Sequence, residues 1–289
     1  SSLRRLRTDY IDLYQLHWPN RDSYHFRQMW AYDPRGIDKA AELAQMAEIL
    51  TEAQKLVAEG KIRAIGLSNE TVWGAGRWIA LAETMGLPRM ASVQNEYSLL
   101  CRQFDTDWAE LSVIEDLPLL AFSPLATGLL SGKYAGDVTP PKTRRFHTPT
   151  LGGRITPQVF PAVAAYLAVA QKHGLDPCQM AIAFTMTRPF RTIPIIGATT
   201  LDQLRVNIGA AGLTHLHHQC LKRRVFVESG FEVEFLLRVR TPGHIPQVIR
   251  LLHGAHGGEG LLHDRADRAG AQFRALHVVE ALLDLVVVD

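Results

Sequence analysis

Five short apolar runs recur along this chain, and each ends in polar residues that lead into a stretch of helical periodicity. They read YIDLYQLHWP (10–19), KIRAIGLSNE (61–70), MASVQNEYSL (90–99), LPLLAFSPLA (117–126) and RTIPIIGATT (191–200). Strand, helix and strand again, at connections of this length, means parallel strands joined by right-handed crossovers. That repeat constrains the architecture more than any other property of the sequence.

The intervening segments carry helix signals. In ELAQMAEILTEAQKLVAEGK, Leu43, Met46, Ala47, Leu50, Ala53 and Val57 share one face at helical spacing, and Gly60 supplies a stop. Asn69 is placed to cap a helix through about Met85, ended by Gly86 and Pro88. Asp176 followed by Pro177 reads as an N-cap and first helical residue. The opening SSLRRLRTDYIDLYQ reads as a helix end running into a strand, so the chain is expected to start within a domain.

The polar residues are placed with equal regularity. The strands stay apolar until their C-terminal ends, which carry His17, Ser68 with Asn69, Gln94 with Asn95, Ser123, and Gly197 with Thr199. A parallel barrel brings all such ends to one rim, where these residues would converge on a single pocket. An open doubly wound sheet concentrates ligand contacts at one crevice, and its GxGxxG fingerprint is absent here. The pattern favours an α/β chain forming part of a (β/α)8 barrel.

At 289 residues, 47% of them hydrophobic, the chain can bury one large core or two modest ones. A formal net charge of +2 gives no field that would draw it to nucleic acid or an anionic membrane, so a small molecule is the expected partner. Cys101, Cys178 and Cys220 are far apart and lack CxxC spacing, which fits buried thiols of a reducing compartment, the cytoplasm. Neither a charged leader with an apolar run nor a stretch of about 18 uninterrupted apolar residues occurs.

Taken together, DYIDLYQLHWP, GKIRAIGLSN, SVQNEYSLL, LLAFSPLATGLLSGKY and IPIIGATTLDQLRVNI resemble the aldo-keto reductases, nearest the bacterial Tas-like branch akin to potassium-channel beta subunits. The resemblance runs in order through residues 1 to about 213. It implies that the five runs are strands four to eight of the family barrel, with strands one to three before Ser1. It also implies a catalytic tetrad of Asp, Tyr, Lys and His around a substrate carbonyl, in which His17 matches the histidine that orients the carbonyl. A neutral imidazole suits that task, because one nitrogen donates while a neighbour holds the other. The Asp, Tyr and Lys belong to family segments that this sequence does not contain, so the fragment is expected to be incomplete and inactive. Read without the family, His17 is a strand-end histidine with ordinary hydrogen bonds.

The same resemblance implies a nicotinamide cofactor, NADP (NADPH) in preference to NAD because of the accompanying basic residues. Ser68, Asn69 and Gln94 match the groups that hold the carboxamide, which has one acceptor and two donors to satisfy. Capping of the next helix is the alternative for Ser68 and Asn69. Phe122 corresponds to the aromatic that packs on the nicotinamide ring; as an isolated aromatic it would be core. Ser123, Leu125 and Gly128 resemble the turn that wraps the pyrophosphate, although a plain structural turn explains them almost as well. SGKYAGDVTPPKTRRFHTPTLGG is too long for an ordinary barrel connection and is expected to cover the cofactor. Within it, Lys133 matches a phosphate ligand and Arg144 does so more loosely, a solvated basic loop being the other reading. Gly197 and Thr199 precede a helix whose N-terminus favours an anion, with Gln203 and Asn207 directed toward adenine. Thr200 and Gln203 also spell a capping box. Val206 stands where channel-like relatives often carry Glu, which removes one polar contact to adenine. Trp18 and Tyr97 suggest an apolar, aromatic-lined substrate pocket.

From about Thr214 the family pattern stops, dividing the chain into a partial, NADP-binding barrel (1–213) and a tail (214–289). The tail carries eight of the 12 histidines and a single lysine, Lys222, among many arginines. So abrupt a shift marks a boundary, and the tail is expected to be frame-shifted, joined from unrelated DNA, or poorly ordered. His215, His217, His218 and Cys220 could bind a soft metal, but their spacing matches no strong zinc pattern and no metal site is assigned. The leading reading is an NADPH-dependent aldo-keto reductase that reduces an aldehyde or ketone by hydride transfer. The alternatives are a non-catalytic nicotinamide-cofactor-binding regulatory module and an inert gene fragment. Strands lacking their barrel partners leave edge hydrogen bonds open and a core face uncovered, so marginal folding is expected.

Overall fold

Each apolar run forms a strand: β1 (Ile11–Leu16), β2 (Ile62–Ser68), β3 (Met90–Glu96), β4 (Leu119–Phe122) and β5 (Thr192–Pro194). These are seen in a computed structural model that describes residues 2–216, together with 225–227 and 231–233. The strands hydrogen-bond in chain order, and every neighbouring pair is parallel. α1 (Ser2–Leu6) precedes β1, and α2 (Lys39–Ala58), α3 (Val72–Met85) and α4 (Asp107–Ile114) form the crossovers as far as β4. The connection from β4 to β5 is longer and holds α5 (Arg144–His147), α6 (Val159–Lys172) and α7 (Pro177–Met186), and α8 (Leu201–Leu216) follows β5. This five-stranded parallel α/β arrangement is consistent with a (β/α)8 barrel. Beyond α8, β6 (Val225–Val227) and β7 (Phe231–Val233) pair antiparallel. The rest of the tail, with the side chains of His215, His217, His218 and Cys220, lies outside the described residues.

The helices start where short polar side chains can satisfy their first N–H groups. Asp38 accepts from Ala40 N (2.9 Å) and Ala41 N (3.1 Å) to open α2. Asp176 accepts from Cys178 N (2.8 Å) and Gln179 N (3.0 Å) to open α7, with Pro177 in the first turn. The cap of α3 is Thr71, whose Oγ1 accepts from Gly74 N at 3.2 Å, and not Asn69. Asn69 cannot serve because its backbone is left-handed (φ 50°) and its amide is turned back toward the strand ends. Gly86 (φ 63°) closes α3 in the same left-handed conformation, which glycine adopts without steric cost.

Alternation along the strands sends Ile65, Leu67, Val93, Leu119 and Ala121 into the helix-packed core, all 2% exposed or less. Leu50 and Ala53 of α2 and Ala75, Trp78 and Ile79 of α3 belong to the same core. Full burial of each large aliphatic side chain contributes roughly 1.5–3 kcal/mol. Tyr97, Phe104, Phe184 and Phe190 form an aromatic cluster, with Tyr97 stacked on Phe184 at 5.8 Å between ring centroids. Tyr97 is therefore core and not pocket lining, a correction that the pleat explains. Gln94 and Glu96 share one face of β3, so Asn95 and Tyr97 must take the other. Among the described residues, no helix is long and apolar enough to cross a membrane.

Candidate active site

Parallel partners point to the same face of a sheet, so the register shows which strand-end residues meet. Leu16 pairs with Leu67, Ser68 with Gln94, and Gln94 with Leu120. Ser68 and Gln94 thus share the face opposite the buried core, and His17, the residue that follows the end of β1, reaches their level with its backbone carbonyl. Glu96 and Phe122, paired across β3 and β4, form the next step toward the rim.

Hydrogen bonds fix this arrangement. Ser68 Oγ donates to the Gln94 carbonyl at 3.0 Å, and Asn69 N donates to the same oxygen at 3.0 Å. Asn69 Nδ2 donates to the His17 carbonyl (3.0 Å) and to Ser68 Oγ (3.1 Å). Both donors of the Asn69 amide are thus spent on the protein, which leaves Oδ1 as the acceptor it can present to a ligand. Ser68 and Asn69 are each 3% exposed, so this geometry is set by a buried network. The Gln94 side chain, half-buried beside them, carries an acceptor and a donor. An acceptor at Asn69 and an amide at Gln94 complement a primary carboxamide, which is the fit that a nicotinamide requires.

Asn95 does not join them. It is 2% exposed on the other face, where Nδ2 donates to the Glu70 carbonyl at 3.1 Å, and its Oδ1 is buried without a hydrogen-bond partner. His17 itself is exposed, with its ring 4.3 Å from that of Trp18. Trp18 in turn meets Phe26 edge-on at 6.0 Å, and both are more than half exposed. Phe26 escaped the sequence reading because it sits in an irregular segment with no periodicity to betray its direction.

The turn after β4 is built of left-handed residues: Ser123 (φ 54°), Ala126 (φ 47°), Thr127 (φ 57°) and Gly128 (φ 96°). Backbone of this kind turns successive N–H groups into a concave surface suited to anions. Leu125, half-buried, accepts at its carbonyl from Gly128 N (2.9 Å) and Leu130 N (3.2 Å). Lys133 lies across Gly128, where a Cβ would stand 2.5 Å from Lys133 Cε and 2.8 Å from Nζ. Gly128 is required for the lysine to fold back over the turn, whose Ala126 and Gly128 N–H groups donate to the Ser123 and Leu125 carbonyls, so Lys133 is the group there that could meet a phosphate.

The long segment beyond is not structureless. It is held by Arg145, 8% exposed, which donates to the Val138 carbonyl at 2.7 Å and pairs with Asp137, while Arg144 faces solvent. After β5, Asn207 Nδ2 donates to the Gly197 carbonyl at 3.2 Å. Gln203 Oε1 accepts from Thr199 N (2.9 Å) and Thr199 Oγ1 (3.1 Å), and Gln203 N donates to Thr200 Oγ1 (3.3 Å). Half of the capping box forms as spelled, and its reciprocal bond moves one residue back to Thr199. Two hydrogen-bonded pairs, Gly197 with Asn207 and Thr199 with Gln203, thus lie at the start of α8.

Two carboxylates that the sequence did not single out organise the surroundings. Glu70, 1% exposed, accepts from Arg21, from Trp78 Nε1 (3.1 Å) and from Thr71 N (2.7 Å). Its carbonyl receives His25 Nε2 at 2.8 Å, and burial pushes the His25 imidazole below its ordinary value, so the ring is the neutral donor there. Glu96 receives Arg27 and Arg154. Of the two thiols among the described residues, burial raises Cys101 above its ordinary value, and burial followed by Asp176 raises Cys178 to about 11, which disfavours the thiolate at both.

Parallel strands in chain order, with Ser68, Asn69 and Gln94 hydrogen-bonded together at their C-terminal ends, define an α/β scaffold of the barrel type. Residues 1–223 match the profile of the Aldo/keto reductase family, and the chain belongs to that family, whose members act on small carbonyl compounds with nicotinamide cofactors. It is 45% identical over 211 residues to Protein tas of Escherichia coli (strain K12), covering 72% of this chain and 59% of that protein, which sets it in the Tas-like branch. It is 37% identical over 218 residues to the Aldo-keto reductase of Babesia bovis (72% of this chain, 76% of that protein). With the Uncharacterized oxidoreductase YrpG of Bacillus subtilis (strain 168) the identity is 30% over 213 residues (74% and 57%). The chain thus spans about 59% of the length of Protein tas.

Proposed function

We propose that residues 1–213 bind NADPH and orient the carbonyl of a small aldehyde or ketone for reduction. The observation that carries this reading is the pairing of Ser68 with Gln94 on one sheet face, with both Asn69 donors spent on Ser68 and on the His17 carbonyl. Asn69 Oδ1 accepts from the carboxamide NH2 and Gln94 donates to its carbonyl, which fixes the face that the ring turns to the substrate. Phe122 supplies a flat apolar wall for the ring. The turn Ser123, Leu125 and Gly128 with Lys133 takes the pyrophosphate, Arg144 adds charge from its exposed position, and Gly197, Thr199, Gln203 and Asn207 hold the adenine end. When bound, the cofactor supplies the hydride. His17 donates a hydrogen bond to the carbonyl oxygen, and Trp18 with Phe26 forms the apolar side of the substrate recess.

Proton delivery is a separate requirement. The hydroxyls of Tyr97, Tyr166 and Tyr24 are engaged with Asp105, the Leu99 carbonyl and Trp108, and the Tyr134 hydroxyl accepts from Arg145 N. None of these four belongs to the strand-end group of Ser68, Asn69 and Gln94, and a second reading is therefore a nicotinamide-binding module that does not turn over by itself. We place the protein in the cytoplasm, where its thiols stay reduced. Titration of the full chain with NADPH and with NADH, followed by fluorescence, tests binding, and an assay of carbonyl reduction tests chemistry. Saturable NADPH binding without turnover supports the second reading, and turnover supports the first. Absence of saturable binding by either nucleotide overturns both.

A further inference from the structure

Glu96 lies at the C-terminal end of β3, two residues beyond Gln94 on the same face and in register with Phe122. Its side chain is only 13% exposed and is shared by two arginines from different parts of the chain. Arg27 Nη2 donates to Oε1 at 2.5 Å from the segment that follows β1. Arg154 approaches side-on from the segment that follows β4, with Nε donating to Oε1 at 3.0 Å and Nη2 to Oε2 at 2.9 Å. Such two-point pairing of a guanidinium with a carboxylate fixes orientation as well as distance.

The two segments also touch directly. At Gly153 (φ 79°) a Cβ would stand 3.1 Å from Arg27 Cγ, so Arg27 packs flat against a backbone that has no side chain to offer. Phe26 (φ 57°) and Arg27 (φ 69°) are both left-handed, a conformation that non-glycine residues hold only when their surroundings impose it. The segment after β1 carries Trp18 and Phe26, and the segment after β4 carries Lys133 and Arg144.

We infer that Glu96 is a positioning residue that ties the segment after β1, at Arg27, to the segment after β4, at Gly153 and Arg154, so that residues 18–33 and 148–156 are held as one body at the rim. The tie itself needs only the geometry above. Its consequence for cofactor residence rests on the NADPH reading.

Hydrogen exchange on the full chain separates the two claims. In Glu96→Gln, amides of both 18–33 and 148–156 exchange about tenfold faster, the factor expected for loss of one charge-assisted pair, while β2 and β3 keep their protection. Arg154→Lys retains the charge and loses the side-on geometry, and it accelerates the same two segments by a smaller factor. Acceleration confined to one segment, or absent from both, overturns the tie. If Glu96→Gln loses protection throughout the sheet, Arg154→Lys decides on the same criterion. NADPH dissociation, followed by fluorescence, rises about tenfold in Glu96→Gln, because release requires the rim to open. An unchanged rate with both segments loosened overturns the link to the cofactor. Failure of the wild-type chain to bind NADPH overturns the functional reading and leaves the tie to be judged by exchange alone.

Discussion

Leu119 and Leu120 are consecutive on β4, yet Leu119 is fully buried in the helix-packed core whereas Leu120, on the opposite face, is only half-buried. The same contrast holds on β2, β3 and β4 at Ile65, Leu67 and Val93, 2% exposed or less, against Ala64 and Phe122, which retain partial exposure, but not on β1, where Tyr14, the partner of Ile65, is 41% exposed. Stability is thus concentrated on one face, and the proposed ligand chemistry falls on the other. The packed face tolerates little change, and the open one presents Gln94 and Phe122 to whatever enters. Each measurement below can break that division or make it quantitative.

The largest effect is expected on the sealed side, at Glu70. Glu70→Ala leaves the buried Arg21, whose side chain is 4% exposed, with Glu42 at 3.6 Å and Thr71 Oγ1 at 3.0 Å in place of its main partner, and removes the acceptor for Trp78 and Thr71. A loss of about 3–5 kcal/mol in urea-induced unfolding is expected for breaking such a pair. Gly74→Ala should fail in the same way, since a Cβ there would stand 2.1 Å from Glu70 Oε1. A change below about 1 kcal/mol in both variants would show that the pair is not closed off from water.

The neighbouring leucines give the next comparison. Leu119→Ala should cost about 2–5 kcal/mol, since it leaves a cavity among helices, and Leu120→Ala about 1 kcal/mol. Equal costs would mean that the open face is as well covered in solution as the packed one, and the division between faces would fall. On the open face, Gln94→Ala should weaken NADPH binding about tenfold while leaving the unfolding midpoint in place. A shift of the midpoint with unaltered binding would reassign Gln94 to the scaffold.

The sequence made the five strands and their helices legible because their signals are local: apolar runs, period-3.6 faces, and Asp176 with Pro177 at a helix start. The gathering of Ser68, Asn69 and Gln94 in the candidate site was legible for the same reason, since the strand ends carry the polar residues and parallel strands share a direction. Reading pairs of adjacent strand-end residues together was less successful. Gln94 and Asn95 point to opposite faces, and a strict count of two along β3 would have kept Glu96 and discarded Asn95 and Tyr97. The cap of α3 was misplaced by two residues because Asn69 and Thr71 are both competent caps and only the tertiary bond to the His17 carbonyl removes the first. Arg21 with Glu70, and Arg27 and Arg154 with Glu96, were beyond reach. Each ion pair joins residues far apart in the chain, and a charged residue in an irregular segment looks the same whether it is solvated or buried.

The smallest expected effect concerns pH and a single imidazole between the two carboxylates' surroundings. His25 is 8% exposed, donates from Nε2 to the Glu70 carbonyl, and has its pKa lowered by burial, against which the Glu70 hydrogen bond and the Glu96 charge act only in part. A folded-state value below the ordinary 6.5 means that the unfolded chain binds this proton more readily. Its stabilising contribution is therefore complete above about pH 6.5 and is lost as pH falls through the folded value. His25→Gln keeps an N–H donor for the carbonyl but cannot titrate. Urea midpoints measured from pH 7.5 down to pH 5.5, above the range in which most carboxylates protonate, should decline more for the wild-type chain than for the variant. Parallel declines would show that the imidazole is hydrated and would shift the boundary of the sealed region from His25 inward to Glu70 itself.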